Sequence, residues 1–182
     1  MVSREGSPAC KFALTDAAGH VHRLEDYAGS WLLLVFHRHL GCLPCREHIT
    51  QLREHEDELA GLGVKVLVIA FEAGPVTQAY VGETNLRWPL LVDESRELYV
   101  HYGMLRASWW RIWGPATLWA YAKLFLRGRR PRKSGGDVSQ LGGDVLIDPN
   151  GVVALQHVEV GPADRPAVEA ILDVVRARNG TD

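Results

Sequence analysis

The sequence predicts an α/β fold with a mixed central sheet flanked by helices. Three observations carry that expectation. Two continuous apolar runs, Trp31–His37 and Val64–Phe71, read as strands covered on both faces, the pattern of a parallel sheet. A helix candidate follows each of them. The chain then closes on a hairpin and a long amphipathic helix, which adds antiparallel strands to the parallel ones.

The 182 residues are 47% hydrophobic and 23% charged, an ordinary globular composition. It excludes a disordered tail, a collagen-like fibre and a small disulfide scaffold. The formal net charge of -2 gives no global basic field for nucleic acid. Three cysteines do not suit a secreted disulfide framework. The first dozen residues carry no apolar signal core, so the expected home is a reducing cytoplasm. The whole of 1–182 is expected to form one domain, interrupted by an insertion at 104–137.

In chain order, Lys11–Thr15 and His20–Leu24 flank Asp16–Gly19 as an N-terminal β-hairpin. After the strand Trp31–His37, a helix is expected from about Leu43 to Leu59. Ile49, Leu52 and Leu59 form its apolar stripe, and Gly61 and Gly63 end it. Val64–Phe71 follows, then a short helix over Pro75–Glu83 with proline near its start. Pro89–Val92 is a short strand and Glu94–Tyr102 a short helix. Val145–Ile147 and Gly151–Val158 flank Asp148–Gly151 as a terminal hairpin. The last helix is expected from Asp164, as N-cap, to Arg178, with Val168, Ile171, Leu172 and Val175 inward.

Between Met104 and Gly136 the composition changes. Eight basic residues stand there (Arg106, Arg111, Lys123, Arg127, Arg129, Arg130, Arg132 and Lys133) without one acidic residue. Four of the six tryptophans, Trp109, Trp110, Trp113 and Trp119, fall in the same stretch. Gly114 and Pro115 divide it, so two short helices are expected rather than one. A lid packed on the core is the leading use. A wall of an apolar pocket beside Cys42 is a second. A peripheral membrane contact through residues 107–133, with Arg127–Lys133 toward anionic head groups, is a third.

The chemistry lies at Gly41, Cys42, Leu43, Pro44, Cys45 and Arg46, where a buried strand turns into a helix. The first helical turn has unpaired N–H groups and a positive dipole end, which stabilise a thiolate, the reactive form of cysteine. Cys42 sits near the N-cap, where its sulfur can accept from the N–H of Cys45. Pro44 has no N–H to offer and fits the first turn. The C-x-x-C spacing brings both sulfurs to one helix end, close enough for a disulfide. Arg38, His39, Arg46 and His48 can add positive potential. Two other uses remain open. The cysteines can be small buried hydrophobes, or they can join His37 and His39 in a metal site, although closed zinc sites usually draw their ligands from two segments. Cys10, in the first strand, reads as a structural thiol.

The run Ser7–Pro8–Ala9, then Phe12–Asp16 and Gly19, resembles the entrance to the alkyl hydroperoxide reductase and thiol-specific antioxidant superfamily, the peroxiredoxins. Trp88–Asp93 with Tyr102–Gly103 is similar to that family's strand and helix after the redox centre. Arg38–Arg46, together with Gln140–Asp144 and Asp148–Gly151, most resembles the peroxiredoxin-like 2 branch. The resemblance implies a thioredoxin-like fold. It places Cys45 on the peroxidatic position and Cys42 on the first cysteine of the thioredoxin motif. It also places Arg38 on the peroxiredoxin proline, Gly142 on the peroxiredoxin arginine and Gly143 on the thioredoxin cis-proline. Gly142 and Gly143 are thus a turn or bulge before a strand, or a point of close backbone approach to the dithiol.

The expected function is a thiol-dependent redox enzyme that reduces a hydroperoxide or endoperoxide through a Cys42/Cys45 dithiol–disulfide cycle. Cys42, as the more exposed sulfur at the helix tip, is favoured to attack. A thiol donor such as thioredoxin or glutathione would restore the pair; no cofactor, metal or nucleic acid is implied. The alternatives are a thioredoxin-like protein disulfide oxidoreductase and a membrane-surface or ligand-binding module with a vestigial dithiol.

Overall fold

The computed structural model describes residues 4–107, 119, 122, 126, 137–161 and 164–180. Seven strands form one sheet in the order β2-β1-β5-β4-β3-β6-β7. They are β1 (Ala13–Asp16), β2 (Val21–Arg23), β3 (Trp31–Phe36), β4 (Val64–Ala70), β5 (Leu90–Val92), β6 (Gly143–Ile147) and β7 (Val153–Val158). β3, β4 and β5 run parallel, while the β1–β2 hairpin and the β6–β7 hairpin attach antiparallel on either side. This is a thioredoxin-like mixed sheet.

Every residue of β3 is buried. Leu33 and Val35 point into one core, with Ile49 and Leu52 of α1 (Leu43–Glu54), Tyr80 of α3 (Pro75–Thr84) and Ile171, Leu172 and Val175 of α5 (Val168–Asn179). Leu32, Leu34 and Phe36 point into the other, with Leu98 and Tyr99 of α4 (Glu97–His101), Tyr102 and Phe12. The two-residue period of a strand thus feeds two cores, which is why the run is apolar throughout.

The boundaries shift where side chains compete with the backbone. The helix expected to reach Leu59 breaks at His55 into α1 and α2 (Glu56–Gly61). His55 Nδ1–H donates to the Gln51 carbonyl at 3.0 Å, the acceptor its own backbone N–H would have used. α4 starts at Glu97, not Glu94, because the Asp93 carboxylate accepts from Leu98 N (3.0 Å) and Ser95 Oγ (3.1 Å) and holds the intervening residues in a turn. β6 begins two residues before Val145, at Gly143. α5 begins at Val168, so Asp164 is not its N-cap. Pro166 disfavours a helical Arg165, and Asp164 Oδ2 instead accepts from Val160 N at 2.9 Å.

The two short helices expected in the Trp-rich segment lie outside the described residues. Of its tryptophans only Trp119 is described, and it is exposed. No described helix is long and apolar enough to cross a membrane.

Candidate active site

The carboxyl end of β3 delivers His37, Arg38, His39 and Leu40 into a buried turn. Leu40 N donates to Glu72 Oε2 at 2.7 Å and Cys42 N to His39 O at 3.0 Å, which fixes the turn against its neighbours. Cys42 is the N-cap of α1, with an extended backbone, and its Sγ accepts from Cys45 N at 3.3 Å. Pro44 stands in the first turn, where a missing N–H costs nothing. Cys42 and Cys45 are joined by a disulfide across a Cα–Cα distance of 5.4 Å. The sequence thus placed both cysteines and their cap correctly.

It misjudged exposure. Cys42 is fully buried and Cys45 is 1% exposed, so Cys42 is not the more accessible sulfur of the oxidised pair. Cys10 stays a free thiol; its Sγ donates to Lys11 O at 3.3 Å, and burial pushes its pKa up.

The supporting residues divide. Arg38 is 1% exposed, and protein acceptors take up its guanidinium. Its Nε donates to Gln140 O (3.0 Å), its Nη2 donates to Val138 O (2.8 Å), and Glu159 Oε2 lies 3.7 Å from Nε. Arg46 reaches α3, where it meets Glu83 at 3.0 Å and covers the Tyr80 ring at 4.8 Å. Gly41 is partly exposed beside Cys42. Gly142 and Gly143 allow close approach, but to other partners than the dithiol. A Cβ on Gly142 would collide with Phe36 O and would sit 2.9 Å from Arg165 Nη2 and 3.2 Å from Arg38 Cγ. A Cβ on Gly143 would collide with His157 O on β7.

Four residues build a buried charged cluster here, and only His48 was singled out from the sequence. His48 Nε2 meets Asp144 Oδ1 at 3.1 Å. Arg165 Nη1 donates to Asp144 Oδ2 and to Gly143 O, both at 3.0 Å, and its Nη2 donates to Phe36 O at 2.6 Å. Arg165 Nε pairs with Glu159 Oε1 at 2.5 Å, and Gly142 N donates to Glu159 Oε2 at 3.1 Å. Burial would raise the Asp144 carboxyl, but His48 and Arg165 overrule it and hold it well below the usual carboxylate range. For Glu159 burial wins against Arg165 and Arg38, and its pKa is pushed up to about 7. A sequence signal for Glu159 and Arg165 existed only as two charges next to an apolar strand and a proline, a pattern shared by any solvated loop.

The histidines behave differently from one another. His37 is fully buried, with Nε2 3.1 Å from Tyr80 Oη; burial, reinforced by Arg165, His48, Arg46 and His39, holds it well below its ordinary value. Burial and Arg38 push His39 down to about 4. Among the described residues no group of three His, Cys, Asp or Glu side chains has the geometry to hold a metal ion.

Residues 6–156 match the model of the AhpC/TSA family. The thiol-disulfide oxidoreductase ResA of Geobacillus kaustophilus is 29% identical over 100 residues, 54% of this chain and 57% of that protein. Peroxiredoxin-2 of Cricetulus griseus is 29% identical over 113 residues, 57% of each chain. The matches thus span little more than half the length of these relatives. Peroxiredoxin-like 2C of Takifugu rubripes is 22% identical over 162 residues, 82% of this chain and 72% of that one. Peroxidoxin BcpB of Mycobacterium tuberculosis shares the fold with a TM-score of 0.71 at 16% identity, covering 96% of this chain and 97% of its own. With a matched family model over most of its length and a disulfide capping α1, this chain belongs to the AhpC/TSA family.

Proposed function

We propose that the protein is a thiol-dependent oxidoreductase that reduces a peroxide-type substrate with the Cys42/Cys45 pair. The observation that carries this is the disulfide at the N-terminus of α1, where the Cys45 N–H and the helix dipole favour a thiolate on Cys42. In the reduced protein one thiolate attacks the peroxide oxygen. The O–O bond breaks, an alcohol or water leaves, and a sulfenic acid forms. The second thiol attacks that sulfur, water leaves, and the disulfide is restored. A thiol donor such as thioredoxin or glutathione then supplies two electrons and two protons. A reducing cytoplasm, favoured by the low cysteine count, would keep the pair ready as a dithiol.

The second reading is a protein disulfide oxidoreductase, favoured by the adjacency of both sulfurs in one C-x-x-C turn and by similarity to ResA. One experiment separates the two. Turnover with thioredoxin or glutathione is followed on hydrogen peroxide, an organic hydroperoxide and an endoperoxide, alongside Cys42→Ser and Cys45→Ser proteins. Peroxide consumption lost in both variants supports the first reading. No peroxide turnover, with mixed disulfides to protein partners trapped in one variant, supports the second and removes the first.

A further inference from the structure

A buried disulfide poses a proton problem. When it is opened, one sulfur leaves as a thiolate in a region sealed from water. Cys42, at the N-cap, has the Cys45 N–H and the helix dipole to hold that charge. Cys45, three residues further on and inside the first turn, has no N–H donor to its sulfur among the described residues, so it needs a proton.

His48 lies one turn along α1 from Cys45, at i+3, where side chains share a face with Cβ atoms roughly 5–6 Å apart. A helical side chain leans toward the helix N-terminus, which directs the His48 side chain back toward the turn that holds Cys45. The ring is buried and is held from one side only. Nε2 meets the Asp144 carboxylate at 3.1 Å, while Nδ1 is buried without a hydrogen-bond partner among the described residues. Asp144 is itself fixed by Arg165 at 3.0 Å, and Arg165 is anchored on Phe36 O and Gly143 O. An imidazole fixed this firmly, with one nitrogen on a carboxylate and the other left open, is built to move a proton at the open nitrogen.

We propose that His48 Nδ1 is the proton donor and acceptor of Cys45, with Asp144 as the residue that positions it. The proposal rests on the redox reading of the dithiol. A donor thiolate attacks Cys42 Sγ; the new donor–Cys42 disulfide forms, the Cys42–Cys45 bond breaks, and the electron pair goes to Cys45. The proton moves from His48 Nδ1 to Cys45, leaving a thiol and a neutral imidazole. The donor's second thiolate then displaces Cys42, so that the donor is oxidised by two electrons and the protein reduced by two. On re-oxidation His48 takes the Cys45 proton back.

The other groups around His48 do not serve. His37, at the end of β3, is kept neutral and already meets Tyr80. Asp144 on β6 is kept ionised. Glu159 beyond β7 and Arg165 before α5 face each other and the Gly142–Gly143 backbone. On α1 itself Arg46 points to Glu83.

The test is single-turnover reduction of the oxidised protein by dithiothreitol across pH, each rate divided by the fraction of dithiothreitol present as thiolate. In the unaltered protein the corrected rate is highest at acid pH, where a proton is available at the ring, and falls as the pH rises. His48→Gln, which keeps an amide on Asp144, should be about 100-fold slower at the acid end and should lose the fall. Asp144→Asn should weaken the fall, because the ring loses the carboxylate that positions it. A flat profile in the unaltered protein overturns the proposal without any variant, and so does an unchanged profile in a folded His48→Gln protein. Peroxide turnover plays no part in this readout. A protein that reduces no peroxide yet shows the fall would lose the proposed substrate and keep the His48 role.

Discussion

Arg165 and Arg176 stand in similar company and in opposite surroundings. Arg165 meets Asp144 and Glu159 with its side chain 7% exposed, against carboxylates that are completely buried. Arg176, on the outer face of α5, meets Glu58, Glu169 and Asp173, all of them well exposed. In water, charges at these distances attract weakly and their side chains lose freedom to meet. In the interior the attraction is strong, but each charge has lost its hydration, so a partner removed is not replaced by solvent. The Arg165 cluster is therefore hard to build and hard to break, and it occupies the strand ends that border the dithiol turn. The Arg176 cluster decorates a helix.

The sharpest way to break the comparison is Arg165→Met, which keeps the volume and deletes the charge. It leaves Asp144 and Glu159 facing each other, and Phe36 O and Gly143 O without their donors. Removing one member of a buried pair costs about 3–5 kcal/mol. The expected result is a loss of that size in denaturant-derived unfolding free energy. A loss below about 1 kcal/mol would mean that water already reaches the cluster.

The reach of the sequence follows the same division. Local patterns were legible: the apolar period of β3 and β4, the stripe of α5, the turns around Gly19 and Gly151, and the C-x-x-C at a strand-to-helix junction. Each is written within a dozen residues. The cluster was not, because its members come from four segments: His48 reads only as positive potential near the dithiol, and Glu159 and Arg165 read alone as solvated charges. The same distance in sequence hid the burial of Cys42 and of Arg38, whose acceptors, Gln140 O and Val138 O, lie a hundred residues away. The start of α5 was misplaced because Asp164 has the chemistry of a cap, whereas Pro166 decides the backbone.

A smaller effect sharpens the comparison by pH. Glu159 moves from an ordinary value of 4.5 to about 7 because burial outweighs its arginines. Between those values the folded protein holds a proton that the unfolded chain has released, so Glu159 makes stability fall as the pH rises through that window. His39 works in reverse. Its folded value of about 4 lies below the ordinary 6.5, so over that range it makes stability rise with pH. The raw slope mixes the two, and the informative quantity is the difference from Glu159→Gln. The variant should match the unaltered protein best near pH 4.5 and gain on it up to about pH 7, by no more than one proton's worth, about 1.4 kcal/mol per pH unit. A difference of opposite sign would mean that Arg165 and Arg38 win over burial.

The smallest effect tests the exposed side of the comparison. Arg176→Ala removes a guanidinium that contacts three carboxylates, more acidic side chains than Arg165 meets. Counting contacts would therefore rank it above Arg165→Met. Solvent reverses that order, because Glu58, Glu169 and Asp173 regain water when the arginine leaves, and alanine favours the helix that carries it. The melting temperature should stay within error of the unaltered protein, and any residual difference should vanish when salt is raised to 1 M, where charges are screened beyond about 3 Å. The loss in Arg165→Met should persist in the same salt, since no ions enter the buried cluster. If Arg176→Ala proved as costly as Arg165→Met, or if salt rescued both alike, burial would not be what separates the two arginines.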